Sequence, residues 1–111
     1  MTRLLIVGLL AVASLSAAQA RQTFVGTITD NMCPKANHSG MQMGPTDADC
    51  TRECIRAHGA MYVLYDGKTA YTLSDQQTPE KFAGQKVSVT GALDAKTKTI
   101  KVSSMTAAKA K

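Results

Sequence analysis

Apolar and polar positions alternate over residues 23–30 (TFVGTITD). Phe24, Gly26 and Ile28 face one way, and Val25, Thr27 and Thr29 the other. A period of two with β-branched enrichment predicts a strand. The alternation then stops. Residues 31–46 contain Asn, Pro, Gly, Ser and three Met without any period, which predicts a long loop. Thr46 or Asp47 can cap a helix over 47–58. Asp47, Asp49 and Glu53 lie early in it, Arg56 and His58 late, each sign complementing the helix dipole, and Gly59 is a terminator.

Alternation returns after Gly59. Residues 60–65 (AMYVLY) and 69–74 (TAYTLS) flank Asp66-Gly67-Lys68, a hairpin signal. Residues 79–83 (PEKFA) predict one helical turn, with Pro79 first and Gly84 closing it. Residues 85–93 and 98–105 form a second hairpin around Asp94-Ala95-Lys96-Thr97. Val87, Val89, Ile100 and Val102 are expected in the core, and Gly91 marks a bulge or tight bend. This order predicts a mainly β fold. Its best match is a small five-stranded OB-like Greek-key barrel with a short helix in the insert after strand 1 and a helical turn between strands 3 and 4. The alternative is an open antiparallel sheet with one helix packed on it.

The first twenty residues change the compartment. Arg3 precedes an apolar run from Leu4 to Leu15, and Ala18-Gln19-Ala20 is a small-x-small cleavage site. These features predict a signal peptide over 1–20 and a mature chain starting at Arg21. The run is too short to span about 30 Å of hydrocarbon, so no stable membrane anchor is expected after cleavage. The expected location is periplasmic or secreted. About 91 residues remain, which is a single domain over 21–105 followed by a disordered Ala/Lys tail over 106–111. The formal charge of +5 falls to +4 without Arg3, and the lysines are scattered. With no Trp and no clustered basic face, nucleic-acid binding is not expected.

The chemistry-bearing residues are Cys33, His38, Cys50, Cys54 and His58. Cys50 and Cys54 are four apart on the predicted helix and share a face. Three readings stay open. A structural disulfide from Cys33 to Cys50 or Cys54 closes a loop of roughly 20 residues, worth about 3 kcal/mol in the chain-entropy model. It leaves one thiol, which is buried, reactive or available to link a second chain as a dimer. A Cys50–Cys54 bridge is disfavoured by helix geometry. Alternatively, Cys33, His38, Cys50 and Cys54 form a Cys₃His set suited to Zn, and Met41 and Met43 would favour a soft ion such as Cu(I). The third reading is thiol redox chemistry. It is weakened by the CxxxC spacing and by Asp47 and Asp49, whose charge raises a thiol pKa.

The segments GTITDNMC, DCTREC, GAMYVLYDGKTAYTLSDQ and FAGQKVSVTGALDAKTKTIKVSSM resemble a family of small exported bacterial domains of unknown function. The resemblance covers nearly the whole mature chain. It implies an OB-like barrel with a cysteine-bearing insert after the first strand. The matching positions are Cys33, His38, Cys50, Cys54 and Gly59, while Pro34 stands where that family usually has a small residue. No catalytic constellation is evident. The functional expectation is a non-enzymatic, exported binding module for an unknown ligand or protein. The rival is a metal-handling (Zn or Cu) or thiol redox protein.

Overall fold

The computed structural model describes residues 21–37 and 44–108. Among these, β1 (Gln22–Asp30) is followed by α1 (Asp47–His58), β2 (Tyr62–Tyr65), β3 (Ala70–Leu73), a 3₁₀ turn (Thr78–Phe82), β4 (Lys86–Asp94) and β5 (Thr99–Ala107). The strands form one mixed sheet that closes in a ring in the order β1-β2-β3-β5-β4. Closure excludes the open antiparallel alternative. The contact that completes it, β3 with β5 through Leu73 and Ile100, is parallel, and the other four are antiparallel.

The alternation seen in the sequence is realised in the core. Ile28, Tyr62, Leu64, Leu73, Ala83, Val87, Val89 and Ile100 fill the ring and are almost completely buried. Phe24, Val102 and Met105 are partly buried against them. Phe24 also meets Tyr71, with ring centroids 5.5 Å apart. Gly91 does mark a bulge: the β4–β5 register shifts between Thr90 and Gly91, so Ser103 has no opposite number. A Cβ at Gly91 would lie 2.2 Å from the Lys101 carbonyl oxygen, so only glycine lets the strands approach this closely.

Several boundaries differ from the sequence expectation. β2 begins at Tyr62 rather than at 60, because Asn31 pairs with Met61 through both its backbone and its side chain. Gln76 supplies a further substitute for strand pairing. Its amide accepts from the Tyr62 N–H at 2.8 Å and donates to the Tyr62 carbonyl at 3.0 Å. Pro79 stands second, not first, in the 3₁₀ turn. β5 runs to Ala107, so the expected tail at 106–111 begins later; its last three residues lie outside the described ones. The expected signal peptide at 1–20 lies outside them too.

Helix α1 covers one end of the ring. Ala48 and Ile55 pack against the core. The Arg52 guanidinium donates to the Glu80 carbonyl at 3.0 and 3.1 Å. No helix among the described residues is long and apolar enough to cross a membrane.

Candidate functional site

The site is built where β1 ends and the insert begins. Asp30 is the last residue of β1 and has no exposed surface. Its Oδ1 accepts from the backbone N–H groups of Met32 at 3.0 Å and Cys33 at 2.9 Å. This is an Asx-type turn, a local bond that Asp makes readily with the backbone that follows it. It turns the chain sharply and brings Cys33 back toward the sheet. The turn is secured at the Cys33 carbonyl, which accepts from the Thr29 hydroxyl and from the Ala36 N–H, both at 3.0 Å.

Helix α1 approaches from the other side. Thr46 caps it: the hydroxyl accepts from the Asp49 N–H at 3.1 Å and donates to Asp49 Oδ2 at 2.8 Å. Gly59 ends it at φ 65°, its N–H donating to the Cys54 carbonyl. The spacing of four puts Cys50 and Cys54 on one face, and both are buried. The Cys50 thiol donates to the Gly44 carbonyl at 3.3 Å. The Cys54 thiol donates to the Asp30 carboxylate, linking α1 to the end of β1.

No disulfide joins Cys33, Cys50 and Cys54 in this structure. They are nonetheless electrostatic neighbours. Burial pushes the Cys54 thiol up to about 11, helped by the negative charge of Asp30, by Cys33 and Cys50, and by the bond to Asp30. Burial, Asp30 and Cys50 also raise Cys33 above its ordinary value. Near neutral pH both are therefore protonated thiols. That state disfavours nucleophilic attack, which requires the thiolate.

Of the four expected metal ligands, Cys33, Cys50 and Cys54 are brought together. His38 lies outside the described residues, as do Met41 and Met43. Among the described residues no group of three or more His, Cys, Asp or Glu side chains is arranged to hold a metal ion. His58 is exposed in the last turn of α1 and takes no part in the cluster.

The member the sequence reading missed is Asp30. Its signal was present in Asp30-Asn31, a turn-forming pair directly after an alternating strand and three residues before a cysteine.

A second feature lies on the outer surface of the sheet. Val25, Gly26, Thr27, Tyr65, Asp66, Gly67 and Lys86 line a groove of about 300 Å³. Of the three tyrosines, Tyr62 is core, Tyr71 packs with its ring tilted against Phe24, and Tyr65 lines this groove.

Comparison with protein-family models, with curated proteins and with solved structures gives no match for this chain.

Proposed function

We propose that the chain is an exported, non-enzymatic binding module built on an OB-like Greek-key barrel, with its first inter-strand insert fastened to β1 by the Asp30–Cys33–Cys50–Cys54 cluster. The ring order β1-β2-β3-β5-β4, with a helical turn between β3 and β4, supports the OB-like reading. The observation that carries the function is the state of the thiols. Cys33 and Cys54 are raised and sit beside a buried carboxylate that holds the loop. Such a cluster suits anchoring rather than thiol chemistry. On export, an external oxidant would take two electrons and two protons from Cys33 and one helix cysteine. That closes a bridge and leaves one buried thiol.

Protein purified from the exported compartment tests this reading by free-thiol counting under denaturing conditions, combined with native mass spectrometry. One free thiol and no metal mass is expected. Three thiols with bound zinc or copper would replace the anchor with the metal-handling alternative, with His38 as the fourth ligand. A protein retained in the cytoplasm with its first twenty residues intact would remove the export part.

A further inference from the structure

One buried carboxylate reaches two of the three cysteines. Asp30 has no exposed surface, and its Oδ1 accepts from the Cys33 N–H at 2.9 Å. The same carboxylate accepts from the Cys54 thiol. Cys33 arrives from the loop after β1, and Cys54 from the buried face of α1, so Asp30 spans the gap between the two elements. The backbone at Cys33 is held further by the Thr29 hydroxyl and the Ala36 N–H, which both donate to its carbonyl at 3.0 Å.

Cys50 sits one turn earlier on the same face of α1, and it is directed elsewhere. Its thiol donates to the Gly44 carbonyl at 3.3 Å, on the segment that leads into the helix. Both helix thiols lie within electrostatic reach of Cys33. Even so, Cys33 acts on the Cys54 thiol more strongly than Cys50 does, although Cys50 is its neighbour on the helix. The three sulfurs are close together, and hydrogen bonding sorts them. Cys54 is tied to the carboxylate that fixes Cys33, and Cys50 to a carbonyl on another segment.

We propose that Cys33 and Cys54 are the pair that bridges on export, that Asp30 holds them side by side until the bridge closes, and that Cys50 is the cysteine left as a thiol. The proposal rests on the reading of the cluster as an anchor and names its connectivity and order of assembly. The oxidant is a disulfide, R–S–S–R. Cys33 is half-buried and meets it first, whereas Cys54 is completely buried. The Cys33 thiol loses its proton, and its sulfur attacks one sulfur of the oxidant. The S–S bond breaks, one RS⁻ leaves and takes up a proton as RSH, and Cys33 carries a mixed disulfide. The Cys54 thiol then gives up its proton as its sulfur attacks the Cys33 sulfur, and the second RS⁻ leaves as RSH. The two cysteines have lost two electrons and two protons, and the oxidant has become two RSH. Closure is a single event per chain, not a turnover. Hydrogen bonds to Asp30 fasten the insert before it, and the bridge fastens the insert afterwards.

The test incubates the reduced mature protein with oxidised glutathione, alkylates the remaining thiol and maps tryptic peptides by mass. Cleavage after Lys35, Arg52 and Arg56 places each cysteine on its own peptide. The folded protein should yield Cys33 joined to Cys54, with the alkyl group on Cys50. The same chain oxidised in guanidinium lacks the Asp30 contacts and should change partners, since chain entropy favours the short Cys50–Cys54 loop over one of about 20 residues by roughly tenfold. Cys50→Ala should close at the unaltered rate, and Cys54→Ala severalfold more slowly. Asp30→Ala should lose the preference and give a mixture of Cys33–Cys54 and Cys33–Cys50 bridges. The assignment is overturned by any other main bridge in the folded protein, by equal closure rates in the two cysteine variants, or by the same pairing in folded and denatured chains. An unchanged product from Asp30→Ala overturns the part given to Asp30. A Cys33–Cys50 bridge would still leave the insert anchored with one thiol, whereas three thiols around a metal would remove the anchor itself, so the two failures are told apart.

Discussion

The Cys54 thiol donates to the Asp30 carboxylate across the junction between α1 and β1, while the same carboxylate holds the N–H groups of Met32 and Cys33. One side chain thus organises the strand end, the loop and the helix. Asp30→Ala strands those donors in a buried place, at about 1–3 kcal/mol for an unmet group. Asp30→Asn keeps an acceptor and costs less. Both variants remove the charge, so the titrations of Cys33 and Cys54 should move down. Urea denaturation and thiol alkylation across pH report the two effects separately. Unchanged alkylation profiles would break the assignment.

Alkaline pH should destabilise the fold in a defined window. The folded Cys54 holds its proton up to about 11, above the ordinary thiol value of 9.0. A group that binds its proton more tightly when folded contributes stability below the unfolded value and loses it as pH rises through the folded one. Stability attributable to Cys54, and in the same direction to Cys33, is therefore full below about pH 8.5 and falls toward pH 11. Equilibrium denaturation of the reduced protein between pH 7 and 10.5 should show the decline. A Cys54→Ala variant should show a shallower one.

Two glycines should respond differently to alanine. At Gly67, φ is 100° and nothing stands near the position of a Cβ. The cost there is conformational, about 1–2 kcal/mol. At Gly91 a Cβ would meet the Lys101 carbonyl oxygen at 2.2 Å, and backbone cannot rotate aside as a side chain can. Gly91→Ala should cost about 3 kcal/mol, the upper range for overpacking. Denaturation midpoints with equal slopes would rank the pair. A milder effect at Gly91 would mean that β4 and β5 separate easily.

Thr46→Ala removes the hydroxyl that accepts from the Asp49 N–H. The expected loss is about 1 kcal/mol, and Thr46→Ser should restore most of it. Because Cys50 lies in the first turn of α1, the variant should also make Cys50 alkylate faster under native conditions.

Much of the fold could be read because its signals are local. The alternation around Ile28, the cap at Thr46, the stop at Gly59, the turn at Asp66-Gly67 and the bulge at Gly91 each follow from a residue and its near neighbours. Ring closure through parallel Leu73 and Ile100 was harder, since pairing between strands distant in sequence leaves no local period. The candidate site was half legible. The spacing of Cys50 and Cys54 put them on one face, and the approach of Cys33 was anticipated. The agent of that approach, Asp30, was hidden because a strand-end carboxylate looks solvated until the chain folds over it. Gln76 was hidden for a similar reason: an amide that imitates backbone carries no pattern of its own.

β1 pairs with β4 through residues 22–27 and with β2 through residues 27–30, and this double pairing bears on which changes in chain length the fold can absorb. One residue added or removed between Phe24 and Ile28 would exchange the two sets of backbone partners and turn the core side chains outward at the same time. No compensating substitution elsewhere could undo both. Across descendants of this chain β1 should therefore keep its residue count even as its outward side chains drift.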